Sequence, residues 1–146
     1  MENSKWSKYV VSDLRLPARF TRESKERYSQ FATRILWMDD EIVPGATTQM
    51  NCSWYLKPTK GVTTSHTHEY DEIIGFLGSD PQNPRDLGGE IEFWIEDEQF
   101  ILNRSTMVFA PRGVKHCPLI VKRVDRPILH FTTVNGGQYK VIPGEK

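Results

Sequence analysis

From residue 31 onward the sequence is a succession of short β-prone runs, each closed by turn residues, with no βαβ rhythm between them. Residues 31–38 (FATRILWM) end at Asp39-Asp40, and residues 47–56 (TTQMNCSWYL) end at the turn KPTKG. In the second run Met50, Cys52, Trp54 and Leu56 alternate with Gln49, Asn51, Ser53 and Tyr55, a period of two that predicts a strand with one buried face. Residues 69–77 form the next candidate, followed by a Pro/Gly/Asn/Asp loop at 79–89. Residues 90–96 and 99–103 suggest a hairpin around Asp97-Glu98, with Ile91, Phe93 and Ile95 on one face. Runs at 106–110, 117–123 and 127–134 complete about eight strands, and the class they predict is all-β, a barrel or sandwich. Residues 1–30 are polar and weakly patterned, with one short helix expected over 21–30 (TRESKERYSQ). They are taken as an N-terminal arm on a barrel of residues 31–146.

A chain of 146 residues fits one domain and buries a core without disulfide or metal staples. Nineteen basic and nineteen acidic residues cancel, so no charge excess invites nucleic acid or an anionic membrane. No secretory leader is expected from MENSKWSKYV, and no apolar run approaches the length of a membrane span. Cys52 and Cys117 lie 65 positions apart in no ligand spacing. Two reduced thiols in a cytoplasmic protein is the expectation. The arm carries Trp6, Tyr9, Val10, Val11, Leu14 and Leu16, too apolar for a free tail. A homodimer is expected, with part of residues 1–30 packed across the neighbour's open sheet edge.

Chemistry concentrates in two places. In GVTTSHTHEYDEIIGFLG (residues 61–78) an extended chain projects His66 and His68 to one side, and the same parity adds Tyr70 and Glu72 while turning Glu69 and Asp71 away. Two imidazoles and a carboxylate suit Mn, Fe, Ni, Cu or Zn. In FAPRGVKHCP (residues 109–118) Pro111 and Gly113 form a tight turn ahead of His116. An isolated H-x-H is a weak signal. Here three of the chain's four histidines fall in these two segments, beside a carboxylate of matching parity.

The two segments resemble the paired motifs of the cupin superfamily. Gly61, His66, His68, Glu72 and Gly78 match the first motif, each flanking gap one residue short, and Pro111, Gly113 and His116 match the second. Ser105 stands where the second motif has its leading Gly, and Ile120 where it has Asn. The resemblance implies a double-stranded β-helix of jelly-roll type. It also implies one divalent ion (Mn, Fe, Zn or Ni) held by His66, His68, Glu72 and His116.

Four protein ligands leave an octahedral ion two open positions, which points to an enzyme acting on a small oxygen-bearing substrate such as a keto acid, diketone, enol or sugar derivative. Lewis-acid isomerisation, decarboxylation or hydrolytic carbon–carbon cleavage is the leading expectation. An Fe(II) dioxygenase and a non-catalytic small-molecule sensor are the alternatives. Tyr70, Glu72 and His130 are the candidate catalytic groups; for His130 a core or rim position is the default, and for Tyr70 simple packing. Trp54, Phe93 and Trp94 are core or pocket wall by default. Arg34 and Arg104 are candidates to grip a substrate carboxylate, with solvent exposure the ordinary fate of each. Residues 80–89 are either a lid over the barrel mouth or a long hairpin loop.

Overall fold

The expected β-runs become two five-stranded antiparallel sheets in a computed structural model that describes residues 4–136 and 142–143. In chain order the elements are α1 (Arg22–Ser29), β1 (Ala32–Met38), β2 (Gln49–Tyr55), β3 (His66–Thr67), β4 (Glu72–Leu77), β5 (Asp86–Ile95), β6 (Glu98–Arg104), β7 (Thr106–Ala110), β8 (His116–Val124), β9 (Ile128–Val134) and β10 (Ile142–Pro143). One sheet runs β1-β2-β9-β4-β7 and the other β10-β3-β8-β5-β6. Neighbours distant in sequence, β2 beside β9 and β3 beside β8, show the chain winding back and forth between the sheets. That is the jelly-roll form of a double-stranded β-helix.

Each element follows from local chemistry. Thr21 caps α1, its hydroxyl accepting from Ser24 N at 3.0 Å, and Arg22–Glu26 and Arg27–Glu23 pair along the exposed face. The inner side of this segment seats on the barrel: Tyr28 and Phe31 pack against the core, and Phe20 meets Trp37 edge-on at 4.8 Å. Between β5 and β6 the pair Ile95↔Glu98 leaves a two-residue turn, and Glu96 adopts the positive φ of 50° that such turns require. Ile91 and Phe93 face the core as their alternation predicts, joined by Leu87, Leu119 and Val121. No helix among the described residues is long and apolar enough to cross a membrane.

One expectation is sharpened and two are corrected. The buried face of β2 is the polar one: Gln49, Asn51, Ser53 and Tyr55 point inward, while Met50 stays 43% exposed. Leu56 is exposed as well, and Trp54 is half-buried outside. Hydrophobicity alone suggests the reverse, and the physical reason is that this strand lines a cavity rather than a packed core. Secondly, residues 69–77 are not one strand, because β3 ends at Thr67 and β4 begins only at Glu72. Thirdly, β5 starts at Asp86, so the loop after β4 is shorter than expected and is no lid. It leaves β4 five residues beyond Glu72, about 17 Å along the strand, at the end away from His66, His68 and His116. Ser105 ties it down, accepting from Gly78 N at 2.8 Å and donating to Pro84 O at 2.6 Å.

Candidate metal centre

His66 on β3 stands directly opposite His116 at the start of β8. The turn before β8 is locked to the first segment by its backbone: Gly113 N donates to His68 O at 3.0 Å, and Arg112 N to the Asp71 carboxylate at 2.9 Å. Gly113 makes this possible by adopting φ 82°, a conformation that side chains disfavour. Glu72 at the head of β4 completes the group. One ligating atom from each of His66, His68, Glu72 and His116 lies within 4.8 Å of all the others, and all four residues are buried.

The donor set fits a divalent cation. His66 Nδ1 donates to Thr64 O at 2.6 Å and His116 Nδ1 to Val114 O at 3.1 Å, because a carbonyl can only accept. Each ring then turns its Nε2 toward the cluster. His116 Nε2 and Glu72 Oε1 are 3.0 Å apart, and His68 Nε2 is 3.2 Å from the same oxygen. Acceptors facing one another at this range require a shared proton or cation. Burial lowers the His66 pKa to about 4, which keeps that imidazole unprotonated and available at neutral pH. Burial also pushes the Glu72 carboxyl up, but His116 and His68 outweigh it and hold the group below its usual range.

His66, Glu72 and His116 form part of the wall of a cavity of about 690 Å³. The rest of that wall is of two kinds. Ile74, Phe93 and Leu119 give it an apolar side, while Arg34, Gln49, Asn51, His130 and Thr132 give it a polar one. Ser24, Arg27 and Tyr28 of α1 border it, so the arm contributes to the pocket of its own barrel. His130 is fully enclosed, its Nδ1 donating to Gly75 O at 3.1 Å and its ring stacked on Tyr55 at 4.6 Å and Phe76 at 5.1 Å. Burial brings its pKa down to about 4. It is therefore a neutral acceptor at pH 7 and a poor proton carrier.

Of the residues singled out from sequence, the structure gathers His66, His68, Glu72 and His116, with His130 in the same cavity. Tyr70 does not line that cavity; its ring lies flat on His68 at 4.9 Å and 11°. The parity that seemed to aim it inward fails because residues 68–71 are outside any strand. Phe93 is wall, whereas Trp94 and Trp54 lie off it, and Trp94 donates to Glu92 at 2.9 Å. Arg104 is exposed. Arg34 is not: a β-bulge between Arg34 and Leu36 resets the alternation of β1, and Arg34 and Trp37 both line the cavity. Gln49, Asn51, Thr132 and Tyr28 went unnoticed in the sequence. For Gln49 and Asn51 the signal was present in β2, where every second residue is polar.

The fold is of cupin type, a double-stranded β-helix, and it carries a His₃–Glu cluster that fits one metal ion. No family model matches the chain, and no curated protein matches it by sequence. Solved structures do match it. A structure of oxalate oxidase is 13% identical with a TM-score of 0.57, over 98% of this chain and 67% of that one. The DMSP lyase DddQ from Ruegeria pomeroyi DSS-3 is 20% identical with a TM-score of 0.51, over 92% of this chain and 64% of that one. An uncharacterized conserved protein with a double-stranded beta-helix domain from Klebsiella pneumoniae subsp. pneumoniae MGH 78578 is 15% identical with a TM-score of 0.51, over 89% of this chain and 100% of that one. The chain spans 53% of the length of the oxalate oxidase solved with glycolate. At these identities the likeness establishes the fold, and the activity is a separate question.

Proposed function

We propose that this chain is a metal-dependent enzyme acting on a small oxygen-bearing organic molecule (a keto acid, diketone, enol or sugar derivative), with His66, His68, Glu72 and His116 holding one divalent Mn, Fe, Zn or Ni ion. The observation that carries this reading is that His66, Glu72 and His116 border a cavity of about 690 Å³, a size suited to such a molecule. A structural ion is normally closed off by its ligands. The bound ion would supply Lewis-acid activation of a carbonyl, the chemistry of isomerisation, decarboxylation or hydrolytic carbon–carbon cleavage.

The chain's own residues supply the rest. Ile74, Phe93 and Leu119 exclude water and fit an apolar substrate body. His130, with Nδ1 engaged by Gly75, offers Nε2 as an acceptor for a substrate hydroxyl or enol. Glu72 is the ionised group closest to the reacting end. Tyr70 acts on His68 by stacking, in place of the acid role its sequence position suggested. The test is turnover of keto acids, diketones, enols and sugar derivatives under strict anaerobiosis, with Mn(II) or Zn(II) as the sole metal. Turnover supports the reading. Activity only with iron and air overturns it in favour of a dioxygenase, and tight binding without turnover makes the chain a sensor.

A homodimer in a cytoplasmic, thiol-reducing setting belongs to the same reading. Trp6, Tyr9, Val10 and Leu14 of the arm are exposed, as are Met107 and Phe109 on the edge strand β7. Light scattering at micromolar concentration is expected to give twice the chain mass; a monomer rejects this part.

A further inference from the structure

We propose that the cavity contains a carboxylate-binding subsite built on Arg34 and Gln49, so that the substrate is an organic acid held at that end and presented to the His66/His68/Glu72/His116 end by its second oxygen function. This rests on the enzyme reading above and narrows its substrate class.

Arg34 is held in place without being neutralised. Its guanidinium carbon sits 4.0 Å from the centre of the Tyr28 ring, with Phe20 at 5.4 Å and Trp37 at 5.5 Å. Nη1 donates to Asn51 Oδ1 at 2.6 Å. Among the described residues no carboxylate pairs with it, although Arg19, Arg22, Arg27, Arg123 and Arg126 all have such partners. A guanidinium has five N–H donors, and here one is used within the protein. Arg34 borders the cavity with its other donors unused within the protein.

Gln49 supplies the second, independent observation. It has no exposed surface, it lines the same cavity, and neither its amide nitrogen nor its amide oxygen has a hydrogen-bond partner. A buried polar group of this kind is waiting for a ligand or ordered water. Strand register locates it. Gln49 faces Val134, which faces Glu72, so Gln49 shares a row with the candidate ligand two strands away, about 10 Å along the sheet. Arg34 faces Ser53, in the row of His130 and Phe76. The polar groups thus lead from the cluster to the guanidinium across one sheet, with Ile74 and Phe93 beside them.

The other cation at the cavity border, Arg27, is already paired with Glu23, and a single free planar fork matches a carboxylate better than a phosphate dianion. Neutral diketones and neutral sugars leave the fork empty, and keto or hydroxy acids fill both ends.

The test titrates the full chain, metal-loaded and chelator-treated in parallel, with 2-oxobutyrate, its methyl ester and inorganic phosphate. Calorimetry is expected to give acid over ester by about tenfold or more in both preparations. Arg34→Gln is expected to lose that preference with ester binding unchanged, Arg34→Lys to keep part of it, and Gln49→Leu to weaken the acid a few-fold. Equal binding of acid and ester by the wild type, which needs no variant to fold, overturns the subsite. So does a preference that survives in a folded Arg34→Gln chain, since the ion would then be holding the carboxylate. Phosphate binding tighter than 2-oxobutyrate rejects the carboxylate assignment. An intact acid preference in a chain that holds no metal and turns nothing over leaves the subsite standing and removes the enzyme reading.

Discussion

The two sheets enclose one interior and furnish parts of it differently. From β5 and β8 come Leu87, Ile91, Phe93, Leu119 and Val121, all at most 3% exposed and packed together. From β2, β9 and β4 come Gln49, Asn51, Ser53, His130 and Glu72, equally enclosed and polar. Burying polar side chains is costly, so a sheet that does so repeatedly, and leaves Gln49 with no hydrogen-bond partner at all, is not there only to fill a core. Both sheets feed the core, Tyr55, Ile74, Phe76 and Ile128 coming from the second, and it is the polar row of β2 that faces the cavity. The difference teaches that a strand whose polar alternation contradicts its burial marks a binding surface.

The sharpest way to break this division is at the cluster. His66→Ala/His116→Ala is expected to lose stoichiometric metal altogether by elemental analysis. Each single ligand variant should lose more than the 10- to 100-fold typical of an outer-sphere change. Asp71→Ala, which removes only an exposed bond to Arg112 N, should retain the metal. A double variant that keeps its full metal content ends the assignment.

On the apolar sheet, Phe93→Ala opens a hole in the core and should cost about 3–5 kcal/mol in denaturant unfolding. A cost under about 1 kcal/mol would show that this face is not the structural one.

Acid probes the buried histidines next. His66 and His130 have folded pKa values lowered to about 4, while the unfolded chain takes up their protons near 6.5. The unfolded state therefore binds more protons between those values, and stability falls as pH drops through that window. The slope is up to about 1.4 kcal/mol per pH unit for each histidine in the metal-free chain. Glu72, held low, loses its contribution as pH falls through its folded pKa, in the same direction. Urea unfolding at pH 7, 6 and 5 should show this decline, and His130→Phe should flatten one histidine's share. Stability unchanged from pH 7 to 5 would reject the buried neutral state.

The smallest expected effect is the most telling. Gln49→Leu replaces an unpartnered buried amide with an apolar side chain of similar length. Chain stability should stay level or rise by about 1 kcal/mol. A loss comparable to Phe93→Ala would erase the distinction between the sheets.

The strand rhythm and the two histidine segments were legible because each rests on local pattern: period two, turn residues, and spacing within a few positions. Arg34 was legible only as one of two candidates beside Arg104, since the bulge next to it shifts parity in a way that only pairing with β2 reveals. Tyr70 misled for the opposite reason, as the extended chain was assumed to continue where it breaks. The inward face of β2 follows from what stands opposite, and hydropathy along one strand carries no information about that. The loop after β4 had the composition of a lid, but its place at one end or the other depends on strand direction.

The bond from Gly113 N to His68 O, with the facing pair His66↔His116, fastens two stretches of chain that lie far apart in sequence. The seat is thus framed by bonds that use none of the four candidate ligand atoms. A seat framed this way is expected to load after folding, which would leave a bound ion open to replacement in a finished protein. Occupancy under those terms is settled by supply and by the intrinsic ranking of divalent ions, with copper and zinc the strongest intruders. Protein made in zinc-rich medium should therefore arrive carrying zinc, whichever ion the chemistry uses.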